Sequence, residues 1–184
     1  MSNGPVAEAR LEQLEHGLAA SGDGWFVLNG REACWRDRGP RGRVCHFEEG
    51  VDFPQLGIHI YVLEPGQPMS MYHWEADQEG FLVVAGEALL IVEGAERPLR
   101  AWDFFHCPPK VEHTIVGAGT GPSVIVAVGA RVDSVDNPNW GSYPVNETAL
   151  RQDAGVERET SDPREAYARF PESKPARYEE GWLP

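Results

Sequence analysis

Hydrophobic positions between Trp25 and Ala130 come in short runs rich in Val, Ile, Leu, Phe and Trp, cut by Gly, Pro, Asn and Asp at intervals of about ten residues. The clearest runs are Trp25–Leu28, Arg43–Phe47, Gly57–Leu63, Phe81–Ala85, Ala88–Val92, Asp103–Cys107, His113–Val116 and Ser123–Ala130. Many short strands with regular turn signals predict an all-β sandwich or barrel. The flanks differ. Residues 7–20, AEARLEQLEHGLAA, set Leu11, Leu14 and Leu18 at helical spacing with charges between them, which predicts one amphipathic helix stopped near Ser21-Gly22. After Arg131 the strand pattern ends. The stretch 136–141 reads as loop, and Asn146–Arg151 and Pro163–Phe170 as short helices, capped by Asn146 and by Asp162 ahead of Pro163. The final PESKPARYEEGWLP reads as an extended arm packing on the barrel or on a second subunit. The expected organisation is an N-terminal helix over 1–22, a barrel over 23–132 and a C-terminal extension over 133–184.

Composition narrows the class. The 184 residues suit one domain with decorated ends, and 41% hydrophobic content is enough for a core. No run approaches the roughly 20 apolar residues of a membrane helix, and no secretory signal is visible, so a cytoplasmic protein without membrane contact is expected. A net charge of −13 repels phosphate backbones and argues against a nucleic-acid partner; it also favours solubility. The cysteines, Cys34, Cys45 and Cys107, form no CxxC pair. Cys34 and Cys45 flank the turn Arg38-Gly39-Pro40-Arg41, and a tight hairpin of residues 32–38 with 41–47 would set them opposite each other. A disulfide and a reduced pair both stay open, with a cytoplasmic location favouring thiols.

The segment MSMYHWEADQEGFLVVAG, Met69 to Gly86, carries the chemistry. In a strand, Met69, Met71, His73 and Glu75 share one face, and Ser70, Tyr72 and Trp74 the other. A turn at Ala76-Asp77-Gln78 would return Glu79 towards His73 and Glu75 as a hairpin. Imidazole and carboxylate together suit Mn, Fe, Ni or Zn. A second segment, LRAWDFFHCPPKVEHTIVG, has turns at Trp102-Asp103 and Pro108–Lys110 and starts a strand at His113, a further ligand candidate. His106 and Cys107 are strand neighbours and should face opposite sides.

Residues Gly66 to Gly117 resemble the two motifs of the cupin superfamily. Gly66, His73-Trp74-Glu75, Glu79 and Gly86 fall in the register of the first motif, and Asp103, Pro108 and His113 in that of the second. Glu75 stands where the first motif has its second histidine. Trp102 and Lys110 stand at glycine positions of the second motif, and Gly117 at its closing asparagine. The resemblance covers roughly residues 56–130. It implies a double-stranded β-helix, or jelly-roll barrel, here with an N-terminal helix and a C-terminal arm containing short helices. It also implies one divalent metal ion (Mn, Fe, Zn or Ni) held by His73, Glu75, Glu79 and His113. Glu75 allows either retention of the metal, with two carboxylates neutralising the ion, or its loss, when one buried carboxylate would have to take a proton.

Four ligands leave a coordination position open, as catalysis requires. Met71, Phe81 and Phe105 are expected near the centre. His59 and Tyr61 share a strand face and line the pocket or lie outside it. Three functions remain: a metal-dependent small-molecule enzyme of unresolved class (isomerase, dioxygenase or lyase), a non-catalytic binder of a sugar-like ligand without an essential metal, and an assembly role. A homodimer is compatible with each.

Overall fold

The β-branched and aromatic runs form antiparallel pairs. The computed structural model describes residues 5–132, 137 and 139–184. In chain order the elements are β1 (Arg10–Leu14), β2 (Gly17–Ser21), β3 (Trp35–Asp37), β4 (Arg43–His46), β5 (Leu56–Leu63), β6 (Trp74–Glu75), β7 (Glu79–Ala85), β8 (Glu87–Val92), β9 (Ala95–Arg100), β10 (Phe104–Cys107), β11 (His113–Ala118), β12 (Ser123–Ala130), β13 (Gly141–Ser142), α1 (Glu147–Arg151), α2 (Pro163–Ala166) and β14 (Lys174–Ala176). One sheet runs β10-β7-β12-β5-β4-β3-β14 and a second runs β11-β8-β9; β13 and β6, and β1 and β2, pair separately.

Alternation along β5 sorts the core into two layers. Tyr61 and Leu63 point inward and join Phe81, Val83, Ile125 and Ala127 of the large sheet with Ala88, Leu90, Leu99 and Ile115 of the small one. The two sheets thus face each other across one apolar interior. Ile60 and Val62 point outward into a second cluster with Trp35, Cys45, Val124 and Trp182. The C-terminal arm closes that outer face: β14 pairs with β3, and the Trp182 ring meets Trp35 edge-on at 5.2 Å. The arm thus adds a strand to the edge of the large sheet and covers its outer face.

The N-terminal helix is not formed. Residues 10–21 make a β-hairpin in which Leu14 pairs with Gly17 across a two-residue turn. Leu18 donates its N–H to the Glu32 carbonyl at 2.7 Å, so β2 gains a backbone partner that a helix would forfeit. Gly17 settles the choice locally. It would weaken a helix interior by about 1 kcal/mol, and a Cβ there would overlap the Ala33 backbone. Trp25–Leu28 is not a strand either: Trp25 makes an isolated bridge to Glu8. The 32–38/41–47 hairpin forms, but its register sets Trp35 opposite Cys45. Cys34 and Cys45 then face opposite sides, and both are buried free thiols. Strand β9 has no counterpart among the hydrophobic runs because its residues are mostly exposed and include Pro98.

Both C-terminal helices form with the expected caps. The Asn146 side chain accepts from Thr148 and Ala149 N–H, and the Asp162 side chain accepts from Arg164 N–H. The second is shorter than expected, ending at Ala166. Of the loop expected at 136–141, residues 136 and 138 lie outside the described residues.

Candidate metal centre

Two positions of the second motif that lack glycine nevertheless hold the backbone glycine favours: Trp102 has φ +75° and Lys110 φ +70°. Gly117, in contrast, is required by space, since a Cβ there would overlap the Glu64 carbonyl oxygen. The motif departures thus leave the local path of the chain intact.

That path brings the histidines together. His73 and His113 form a backbone bridge between the segment entering β6 and the start of β11, with His73 N–H donating to His113 O at 3.1 Å and His113 N–H to His73 O at 2.8 Å. Their rings lie 5.0 Å apart. His73 Nδ1 donates to Met71 O at 2.8 Å, and His113 Nδ1 to Val111 O at 3.0 Å. Both rings are thereby oriented with Nε2 turned towards the carboxylates, the atom through which an imidazole can ligate once it carries no proton. His73 Nε2 faces Glu75 Oε1 at 3.1 Å, and His113 Nε2 faces Glu79 Oε2 at 3.2 Å. The latter two atoms are not aligned for a hydrogen bond, so each is buried without one.

Such a constellation needs a proton or a cation between its nitrogens and carboxylates. Without a metal, a proton serves. Burial pulls the His113 imidazole down, but contact with the Cys107 thiol and the Glu79 carboxylate outweighs it and pushes its pKa up to about 10. Glu75 is held below the usual carboxylate range: burial opposes this, and His73 and His113 override it. A divalent ion can take the place of the protons. The donor set of two imidazoles and two carboxylates fits a borderline or hard divalent ion. The ligand atoms of His73, Glu79 and His113 all lie within 4.8 Å of one another, and Glu75 joins them through His73.

The hairpin expected to deliver Glu79 is absent. Strand β6 pairs with β13 of the C-terminal extension, while β7 pairs with β10 and β12. Glu79 arrives from the large sheet and faces His113 from the small one. The centre opens into a cavity of about 310 Å³. Of the expected pocket residues, His59, Tyr61 and Phe81 line it. Met71 does not; it is buried with Tyr143, Val156 and Ala166 under the C-terminal extension. Phe105 does not either, being stacked behind Phe81 with ring centres 5.8 Å apart. His106 is exposed and Cys107 buried, as alternation requires.

Other wall residues carried no signal in the sequence. Arg38 comes from the β3–β4 turn, Arg131 from the end of β12, and Trp140 and Tyr143 from the extension. Tyr143 stacks on His73 at 5.6 Å. A second group, His46, Glu48 and His59, also has ligand atoms within 4.8 Å. Its carboxylate already pairs with Arg131 at 2.6 Å, which supplies the positive charge. Burial, then the neighbouring His59, lowers the His46 pKa to about 4, so that ring is neutral at physiological pH.

Residues 59–129 match the family model of the cupin domain. The chain thus carries a cupin domain over this stretch. Among solved structures it is similar to a candidate sugar phosphate isomerase from Acidithiobacillus ferrooxidans (27% identity, 52% of this chain and 64% of that one, TM-score 0.46). It is similar too to a sugar phosphate isomerase of the cupin superfamily from Silicibacter pomeroyi (24%, 49% and 59%, 0.45). An RmlC-like cupin from Shewanella frigidimarina also aligns (21%, 57% and 89%, 0.49). The chain covers less than two thirds of the length of either isomerase. No curated protein matches it.

Proposed function

We propose that the chain binds one divalent metal ion through His73, Glu75, Glu79 and His113 and acts on a small molecule in the adjoining cavity. The observation that carries this is the pairing of two imidazoles, each fixed through Nδ1, with two carboxylates at 3.1 and 3.2 Å. Two carboxylates neutralise a divalent ion, and Mn, Fe, Zn and Ni all accept this donor set. When bound, the ion supplies Lewis acidity towards a hydroxyl or carbonyl oxygen of the small molecule. The Met71 and Val111 carbonyls hold the imidazoles in the ligating tautomer. Tyr143, stacked on His73, shields that ring from solvent.

Equilibrium dialysis against Mn²⁺ and Zn²⁺ tests the proposal. One ion per wild-type chain, lost in a His73→Ala/His113→Ala variant, supports it; no uptake by the wild type refutes it.

A second reading, a binder of a sugar-like ligand without an essential metal, draws on the rings of Tyr61, Trp140 and Tyr143 at the cavity, which suit stacking on a pyranose. Uptake of a monosaccharide by the metal-free protein would favour it. A homodimer is proposed on the apolar outer strip of Leu56, Phe104 and Val128, which no part of the described chain covers. Sedimentation velocity decides between monomer and dimer.

A further inference from the structure

Arg38 is 8% exposed, yet among the described residues no carboxylate forms an ion pair with it. Its guanidinium donates to two backbone carbonyls, Nη1 to Met69 at 3.0 Å and Nη2 to Arg41 at 2.6 Å, and lies over the Tyr61 ring at 4.8 Å. These neutral partners fix its orientation and leave its charge uncompensated. Its Nε is buried with no hydrogen-bond partner. Burial lowers the pKa of this side chain, but a guanidinium stays protonated in proteins. A buried charge normally has a partner, because desolvating it alone is costly.

The side chain lines the same cavity as the histidine–carboxylate group. The other arginine on that wall, Arg131, is already engaged by Glu48 at 2.6 Å and by Phe53 O at 3.0 Å. Asp77, also on the wall, has an interaction of its own. With a divalent ion, the charges of Glu75 and Glu79 are balanced. Arg38 then leaves the cavity with one positive charge to be met from outside.

We propose that the cavity takes a small organic anion whose carboxylate or phosphate is held by Arg38, with its hydroxyl or carbonyl oxygen directed to the histidine–carboxylate centre. The second half rests on the metal reading above; the role of Arg38 stands without it. An oxyanion supplies the missing charge, and the stacked guanidinium is preorganised for it.

The test is an NMR titration of ¹⁵N-labelled, Zn²⁺-loaded protein with glycolate, its neutral analogue glycolamide, and inorganic phosphate. Glycolate is expected to bind at least about tenfold more tightly than glycolamide, the ratio a charge-assisted hydrogen bond supports. Arg38→Met should abolish that preference at unchanged zinc content, and Arg38→Lys should restore part of it. Tighter binding of phosphate than of glycolate assigns the site to phosphoryl compounds, and the reverse to carboxylic acids. Equal binding of glycolate and glycolamide by the wild type, or a preference that survives Arg38→Met, overturns the proposal. Should Arg38→Met not fold, Arg38→Lys and the wild-type comparison in metal-free protein decide. Failure of zinc to load defeats the metal reading alone, and the metal-free titrations then judge Arg38 by the same criteria.

Discussion

His73 and His113 are partners twice over: their backbones exchange two hydrogen bonds, and their rings, 5.0 Å apart, each turn Nε2 towards a carboxylate. One backbone bridge thus joins two distant segments and aims their side chains into one cavity. Metal ligation through these residues would rest on strand pairing, with no flexible loop needed.

Proton release should accompany metal loading. In the metal-free protein the His113 pKa stands at about 10, above its ordinary value, so near pH 7 the ring carries a proton that a metal ion must displace. Calorimetric titration with Zn²⁺ in two buffers of different ionisation enthalpy should show a proton leaving per ion. Apparent affinity should rise as pH increases from 6 to 8. Heats independent of the buffer would contradict this.

The two carboxylates should differ. Glu79 shares the tight group with both histidines, whereas Glu75 reaches it through His73 and is more exposed. Glu79→Gln should weaken Mn²⁺ binding by at least about 100-fold, and Glu75→Gln by about tenfold, by comparison with the loss from outer-shell changes. Dialysis constants for both variants measure the difference, and equal losses would remove the distinction.

Left-handed backbone at a non-glycine residue is a cost that substitution can relieve. Trp102 combines φ +75° with a side chain 73% exposed, so Trp102→Gly gives up little burial. It should raise stability by about 0.5–1 kcal/mol, the left-handed penalty less the greater freedom of glycine when unfolded. Gly117→Asn, which restores the asparagine of the motif, should instead destabilise by overlap with Glu64 O. Thermal unfolding of the two variants should shift in opposite directions.

Acid should weaken the fold through His46. Its folded pKa, about 4, lies below the unfolded value of 6.5, so the unfolded chain binds more protons between those limits. The stability His46 contributes is present above pH 6.5 and is lost as pH falls towards 4. His46→Gln should flatten that part of the profile of Tm against pH. An unchanged profile would mean that another group governs it.

Truncating the arm's anchor should be costly. Trp182 is 9% exposed, packs on Trp35 and Tyr178, and lies under the Arg43 guanidinium at 4.7 Å. Trp182→Ala should cost about 3 kcal/mol, as large-to-small changes in cores do, read as a lower urea midpoint. A midpoint within error of the wild type would show the arm to be dispensable.

The facing sheets were legible because the short apolar runs cut by turn residues at intervals of about ten are the segments that became β4, β5, β7, β8, β10, β11 and β12. The ligand candidates were legible because residue type and spacing survive folding. The N-terminal hairpin was not, since three leucines at helical spacing gave no sign that β2 would find a backbone partner at Glu32 and Ala33. Nor could the sequence show that β6 pairs with Gly141–Ser142 rather than with β7, a contact across more than 60 residues. For the same reason Arg38, Trp140 and Tyr143 were invisible as cavity residues: each is brought there by a long-range contact of a segment with no motif. Met71 and Phe105 were misplaced because side parity gives a face but not a depth.

The most direct test of the central claim is elemental analysis by mass spectrometry of untagged protein purified without added metal, beside the His73→Ala/His113→Ala variant. The account predicts close to one equivalent of Mn, Fe, Ni or Zn in the wild type and none in the variant. Metal-free wild-type protein that takes up no ion on reconstitution, or metal retained by the variant, would contradict it.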